Sequence, residues 1–94
     1  MTGVAETKAE VGQLLKQKLP KAEVARIDVR EQPDAEGQPS FYIYVVFRSS
    51  PSRDELRQTN TLVDQLRTWL GQKGDERFPY FSFITEKDEK ELSQ

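Results

Sequence analysis

The chain has 94 residues, 14 of them basic and 16 acidic, a formal net charge of −2, and neither cysteine nor histidine. That length holds one domain, 1–94. The missing residue types exclude disulfides, zinc fingers, iron–sulfur clusters, a thiol nucleophile and a Ser-His-Asp triad.

Near-balanced charge argues against a generic polyphosphate binder. No apolar run reaches the length of a membrane-spanning helix, and the first residues lack the basic-then-apolar plan of a signal peptide. A soluble, cytoplasmic chain with no membrane partner is the expectation. The 35% apolar fraction is low, yet it is clustered and includes one Trp, three Tyr and five Phe, so an ordered fold is expected.

Residues 1–4 are expected to fray. Residues 5–19 read as a helix with Val11, Leu14, Leu15 and Leu19 on one stripe, stopped by Pro20. Residues 23–31 alternate as a half-buried strand. Val24, Arg26, Asp28 and Arg30 share one face, and Ala25, Ile27 and Val29 the other. The stretch 32–40, with two prolines and a glycine, reads as a wide hairpin loop.

Residues 41–48 are the strongest strand signal, aromatic or β-branched up to Arg48. Phe41, Ile43, Val45 and Phe47 share one face; Tyr42, Tyr44 and Val46 share the other. Ser52 and Glu55 have capping-box spacing for a helix over 53–70. There Leu56, Val63, Leu66 and Leu70 form the apolar side, flanked by Leu62 and Trp69, and Gly71 is placed to end the helix. Residues 77–85 form a third strand, with Pro79 at an edge or bulge. Phe81 and Phe83 oppose Tyr80, Ser82 and Ile84. The charged tail 86–94 reads as frayed or as a short helix capped by Thr85.

The expected fold class is α+β: an α-β-β-α-β two-layer sandwich, a three-stranded sheet with two helices on one face. The connection of residues 49–76 allows the third strand to lie parallel beside the first or the second.

The uncovered face would carry Arg26, Asp28, Arg30, Tyr42, Tyr44, Val46, Tyr80, Ser82 and Ile84. Tyrosine and arginine are the residue types that anchor interfaces. The leading expectation is a non-catalytic interaction module, a homodimer or a partner-binding protein, anchored by Arg26, Arg30, Tyr42, Tyr44 and Tyr80. The alternative is a weak single-stranded RNA binder stacking bases on the same tyrosines. The acidic balance and Asp28 count against nucleic acid. The bland reading is a half-exposed face that binds nothing, or one covered by the C-terminal tail.

Other motifs have plainer explanations. Gly71-Gln72-Lys73-Gly74 fits the GXXG of KH domains, but no second helix follows and Asp75 and Glu76 would repel phosphate. Asp34-x-Glu36-Gly37 is a solvated hairpin loop rather than a calcium loop, since no later acidic ligand follows. Asp54 and Glu55 are explained by the helix start, and Asp64 by pairing with Arg67. No catalytic, cofactor-binding or metal-ligating residue is expected.

Three pieces look like a family of small bacterial proteins without an assigned activity. They are Pro33-Asp34-Ala35-Glu36-Gly37, the strand end Val45-Val46-Phe47, and Phe78-Pro79-Tyr80-Phe81-Ser82-Phe83-Ile84-Thr85 after a helix. The resemblance runs from Ile27 to Thr85. It implies a two-protein pair of toxin–antitoxin type with a helical HEPN-type protein, and it transfers no functional residue.

Overall fold

A computed structural model describes residues 2–92 of the chain. The expectations for Met1, Ser93 and Gln94 lie outside the described residues. The elements are α1 (Val4–Lys18), β1 (Val24–Pro33), β2 (Pro39–Phe47), α2 (Arg53–Gln72), β3 (Phe78–Thr85) and α3 (Glu86–Leu92). The fold is α+β, and its one sheet has the order β1-β2-β3. β2 is central, antiparallel to β1 and parallel to β3. The third strand therefore lies beside the second, as the long connection through α2 permits.

The alternation of β2 divides the molecule. Phe41, Ile43, Val45 and Phe47 are buried beneath α1 and α2. Val11, Leu14, Leu15 and Leu19 of the first helical segment meet Leu62, Leu66 and Leu70 of α2 over them. Each such side chain contributes about 1.5–3 kcal/mol of transfer free energy.

The stripe of α2 is rotated from the one expected. Leu62 is fully buried, Val63 half-buried, and Leu56 is 45% exposed. At about 100° per residue, Leu56 lies about 80° around the helix from Leu66, the centre of the buried stripe. Val24 also departs from expectation, because the register shifts between Val24 and Arg26. The bulge turns Val24 from the arginine face to the core, where it packs beside Ile27 and Val29.

The ladder runs on to Pro33↔Pro39, so the hairpin loop is only residues 34–38. Asp34 builds it: its N–H donates to Gln38 O at 2.9 Å. Its Oδ1 accepts from the N–H of Glu36 at 2.9 Å and of Gln38 at 3.0 Å. Gly37 supplies the positive φ of 81°.

The capping box of α2 forms as spaced, Ser52 Oγ accepting from Glu55 N–H and Glu55 Oε1 from Ser52 N–H. The other end differs. Gly71 lies inside α2, and the left-handed residue is Gly74, at φ 73°. Gly74 N–H donates to Gly71 O and Asp75 N–H to Leu70 O, the paired bonds of a Schellman motif.

The second sheet face is partly covered. Thr85 and Asp88 exchange capping hydrogen bonds, which start α3. α3 packs on β3 and β2, and Val46 on this face is fully buried. The tail is thus a short helix over the described residues, and it covers one end of the face.

Candidate functional site

The register lays the second face out in four rows across β1, β2 and β3. They are Arg26, Val46, Ile84; then Asp28, Tyr44, Ser82; then Arg30, Tyr42, Tyr80; then Gln32, Ser40, Phe78. Strand alternation alone sends these side chains to one side. Four of the five expected anchors, Arg30, Tyr42, Tyr44 and Tyr80, come together in two adjacent rows. Arg26 lies at the far end, occupied by its own chain. Its Nε donates to Asp28 Oδ2 at 2.7 Å, its Nη1 to Glu89 Oε1 at 3.0 Å, and its Nη2 to Glu89 Oε2. The two carboxylates hold its guanidinium well above its ordinary pKa, with Glu89 the larger cause, and Arg26 holds Glu89 below the usual carboxylate range.

The open rows form a continuous aromatic strip. Tyr42 and Tyr80 stack with ring centroids 5.2 Å apart and planes 20° apart. Phe78 tilts against Tyr80 at 4.7 Å and 48°. The guanidinium of Arg30 lies 5.5 Å from the Tyr44 centroid, and that of Arg67 lies 4.9 Å from the Phe78 centroid. Phe78 and Tyr80 are each 39% exposed. Sequence reasoning placed Phe78 in the third strand, 77–85, but assigned it to neither face. The parity that pairs Phe78 with Tyr80 was the available signal.

The strip ends at a groove of about 700 Å³ between the hairpin loop and the α2–β3 connection. Its walls include Asp34, Gln38, Glu76, Phe78 and Tyr80. Tyr80 donates its hydroxyl to Asp34 Oδ2 at 3.1 Å, and the carboxylate raises the phenol above its ordinary value. The N–H groups of the loop, Gln38 first, hold Asp34 low, with Tyr80 and Ser40 adding to them.

Behind the groove lies a pair that sequence reasoning also missed. Asp75 and Arg77 have side chains only 3% and 5% exposed. Arg77 donates Nε to Asp75 Oδ1 at 2.9 Å, and its Nη1 approaches Glu31 Oε1 at 2.5 Å. Its Nη2 reaches the carbonyl of Thr2, and its guanidinium lies 4.0 Å from the Phe41 centroid. Thr2, on the segment expected to fray, is buried, and its N–H donates to Asp75 Oδ2 at 3.3 Å. Arg77 keeps the Asp75 carboxyl far below the usual carboxylate range. A pair bonded on all sides is a structural tie, not an acid or base free to exchange a proton.

Among the described residues, no three acidic side chains stand where they would hold a metal ion, and no helix is long and apolar enough to cross a membrane. The Asp34-x-Glu36-Gly37 loop uses both oxygens of Asp34 internally. The GXXG segment is a helix end. Compared with protein-family models, with curated proteins and with solved structures, the chain matches none.

Proposed function

We propose that the chain is a non-catalytic protein–protein interaction module and that the uncovered half of its second sheet face is the contact. The observation that carries this reading is the unbroken strip Phe78–Tyr80–Tyr42, continued by Tyr44 under Arg30. Rigid, half-exposed aromatic rings beside an arginine supply contact area at little entropic cost. The carboxylates around the strip, Asp34, Glu36 and Glu76, favour a partner that brings lysine or arginine to the Phe78–Tyr80 end. The same charges work against single-stranded RNA, whose phosphates would lie among them. The resemblance to small bacterial proteins of two-protein pairs favours a helical HEPN-type protein as that partner. Glu6, Asp34, Asp75 and Glu89 are all held below the usual carboxylate range, which suits anions in fixed pairs rather than proton donors.

The test compares the wild-type chain with a Tyr42→Ala, Tyr44→Ala double variant as bait in cell extract, with and without nuclease. A stoichiometric protein that survives nuclease and is lost with the variant is the expected outcome. A thermal unfolding curve shows that the variant is folded. Material that disappears with nuclease would transfer the strip to RNA. A partner held equally by both baits would remove the tyrosine face from the interaction.

A further inference from the structure

β1 is a terminal strand of the sheet. Its outward backbone groups can be identified. Asp34 N–H reaches back across the hairpin to Gln38 O, and the register runs regularly from Arg26↔Val46 to Pro33↔Pro39. Backbone groups alternate sides along a strand. Those of Arg26, Asp28, Arg30 and Gln32 therefore face β2, and those of Ile27, Val29 and Glu31 face outward. No backbone hydrogen bond reaches these outward groups among the described residues. Pro33 follows on the same parity, where a missing N–H costs the ladder nothing.

We propose that this edge pairs antiparallel with the same edge of a second copy, in the register centred on Val29, giving a continuous six-stranded sheet across a twofold axis. The proposal is independent of the tyrosine strip. Three observations select the occupant and the register.

The first is charge. Centring on Val29 sets Asp28 opposite Arg30 of the second copy, twice by symmetry. Arg30 lies over Tyr44 and has no ion pair among the described residues, and Asp28 gives Arg26 only its Oδ2, which leaves Oδ1 to meet Arg30 of the second copy. By the parity above, these are the non-hydrogen-bonded pairs, where facing side chains are closest.

The second is exclusion of neighbouring registers. Centring on Asp28 would oppose Asp28 to itself and Arg26 to Arg30. Centring on Ile27 would run into the irregularity between Val24 and Arg26 and would draw on Arg26, which Asp28 and Glu89 already hold. Like charges in the wrong registers and opposite charges in one are how a sheet edge chooses its mate.

The third is apolar surface. A hollow of about 400 Å³ lies open between the first helix and β1, lined by Gly12, Leu15, Leu19, Ala22, Val24 and Ile27. The Val29 register sets Val29 against its symmetry mate on the core side and carries the exposed Pro33 of the second copy toward that hollow. About six ladder hydrogen bonds would close the edge.

The experiment combines sedimentation equilibrium with residue-resolved amide hydrogen exchange on the full chain, from micromolar to millimolar concentration. The expected result is a dimer mass. The amides of Ile27, Val29 and Glu31 should then be protected like those of Asp28 and Arg30, with the protection lost on dilution. Arg30→Asp should weaken the dimer about tenfold or more, two like-charge pairs replacing two attractive ones. The combined swap Asp28→Arg, Arg30→Asp should restore it, and Tyr42→Ala with Tyr44→Ala should leave it intact. A monomer at every concentration overturns the proposal. So does a dimer whose three outward amides exchange freely, or one indifferent to Arg30→Asp.

Discussion

Gly74 and Gly71 stand three residues apart, and their substitutions by alanine are expected to have opposite signs. An added Cβ meets nothing within 4 Å at either position, so backbone conformation alone decides. Gly74 is left-handed, and alanine there should cost about 1–2 kcal/mol. Gly71 is inside α2, and alanine there should stabilise by about 0.4–1 kcal/mol. Urea midpoints moving in opposite directions would bear this out; a stabilised Gly74→Ala would contradict it. From sequence, Gly71 seemed the helix stop because both glycines fit that role. The choice depends on Asp75, whose N–H reaches Leu70 O while its carboxylate is held by Arg77. Val24 is a similar case. Strict alternation puts it beside Arg26, and one extra residue in the strand reverses it.

Elements whose signals are local were legible. Ser52 and Glu55 satisfy each other within one helical turn, so the start of α2 could be read from four residues. Ser52→Ala should cost about 1 kcal/mol, read as a lower urea midpoint with the slope unchanged. An unaltered midpoint would mean that water replaces the cap. Thr85 and Asp88 use the same device, and the sequence marked Thr85 as a possible cap. Whether α3 would dock was not legible, because its tie runs from Glu89 to Arg26, 63 residues away. Composition also misjudged the hairpin. Proline-rich flanks looked like loop, yet Pro33 and Pro39 face each other as the last pair of the ladder.

At the scale of the molecule, Asp75 and Arg77 join the start of the chain, the α2–β3 connection, β1 through Glu31 and β2 through Phe41. Removing Asp75 leaves the buried Arg77 only the half-exposed Glu31 as counter-ion, and removing Arg77 takes away the cation that holds the buried Asp75. Asp75→Asn should therefore cost about 3–5 kcal/mol, and Asp75→Leu with Arg77→Met should recover most of it. The pair also sets an acid limit. In the folded chain the Asp75 carboxyl lies below its ordinary 3.8, so the stability it confers is full above about pH 4 and is lost as pH falls below that value. Urea midpoints followed from pH 7 to pH 2 should fall more steeply in the wild type than in Asp75→Asn; parallel curves would refute the assignment. This tie was hidden in the sequence, where Asp75-Glu76-Arg77 reads as a polar turn and its partners Thr2 and Glu31 are far away. Most of the second face was legible, because period-two alternation needs no long-range information, but Phe78 was left off it and the bulge took Val24 away. Its partial cover by α3 was not legible.

The mixed pairing of the sheet also implies an order of assembly. β1 and β2 close through residues 34–38, a loop short enough for a hairpin to form in about 1–10 μs. β3 pairs with β2 across the much longer connection of residues 48–77, a closure with a larger entropy cost. Arg30 thus meets Tyr42 early, whereas Tyr80 and Phe78 arrive with the last strand. The aromatic strip is complete only when β3 has paired with β2, so a ligand that needs the whole strip discriminates the closed sheet from the hairpin alone.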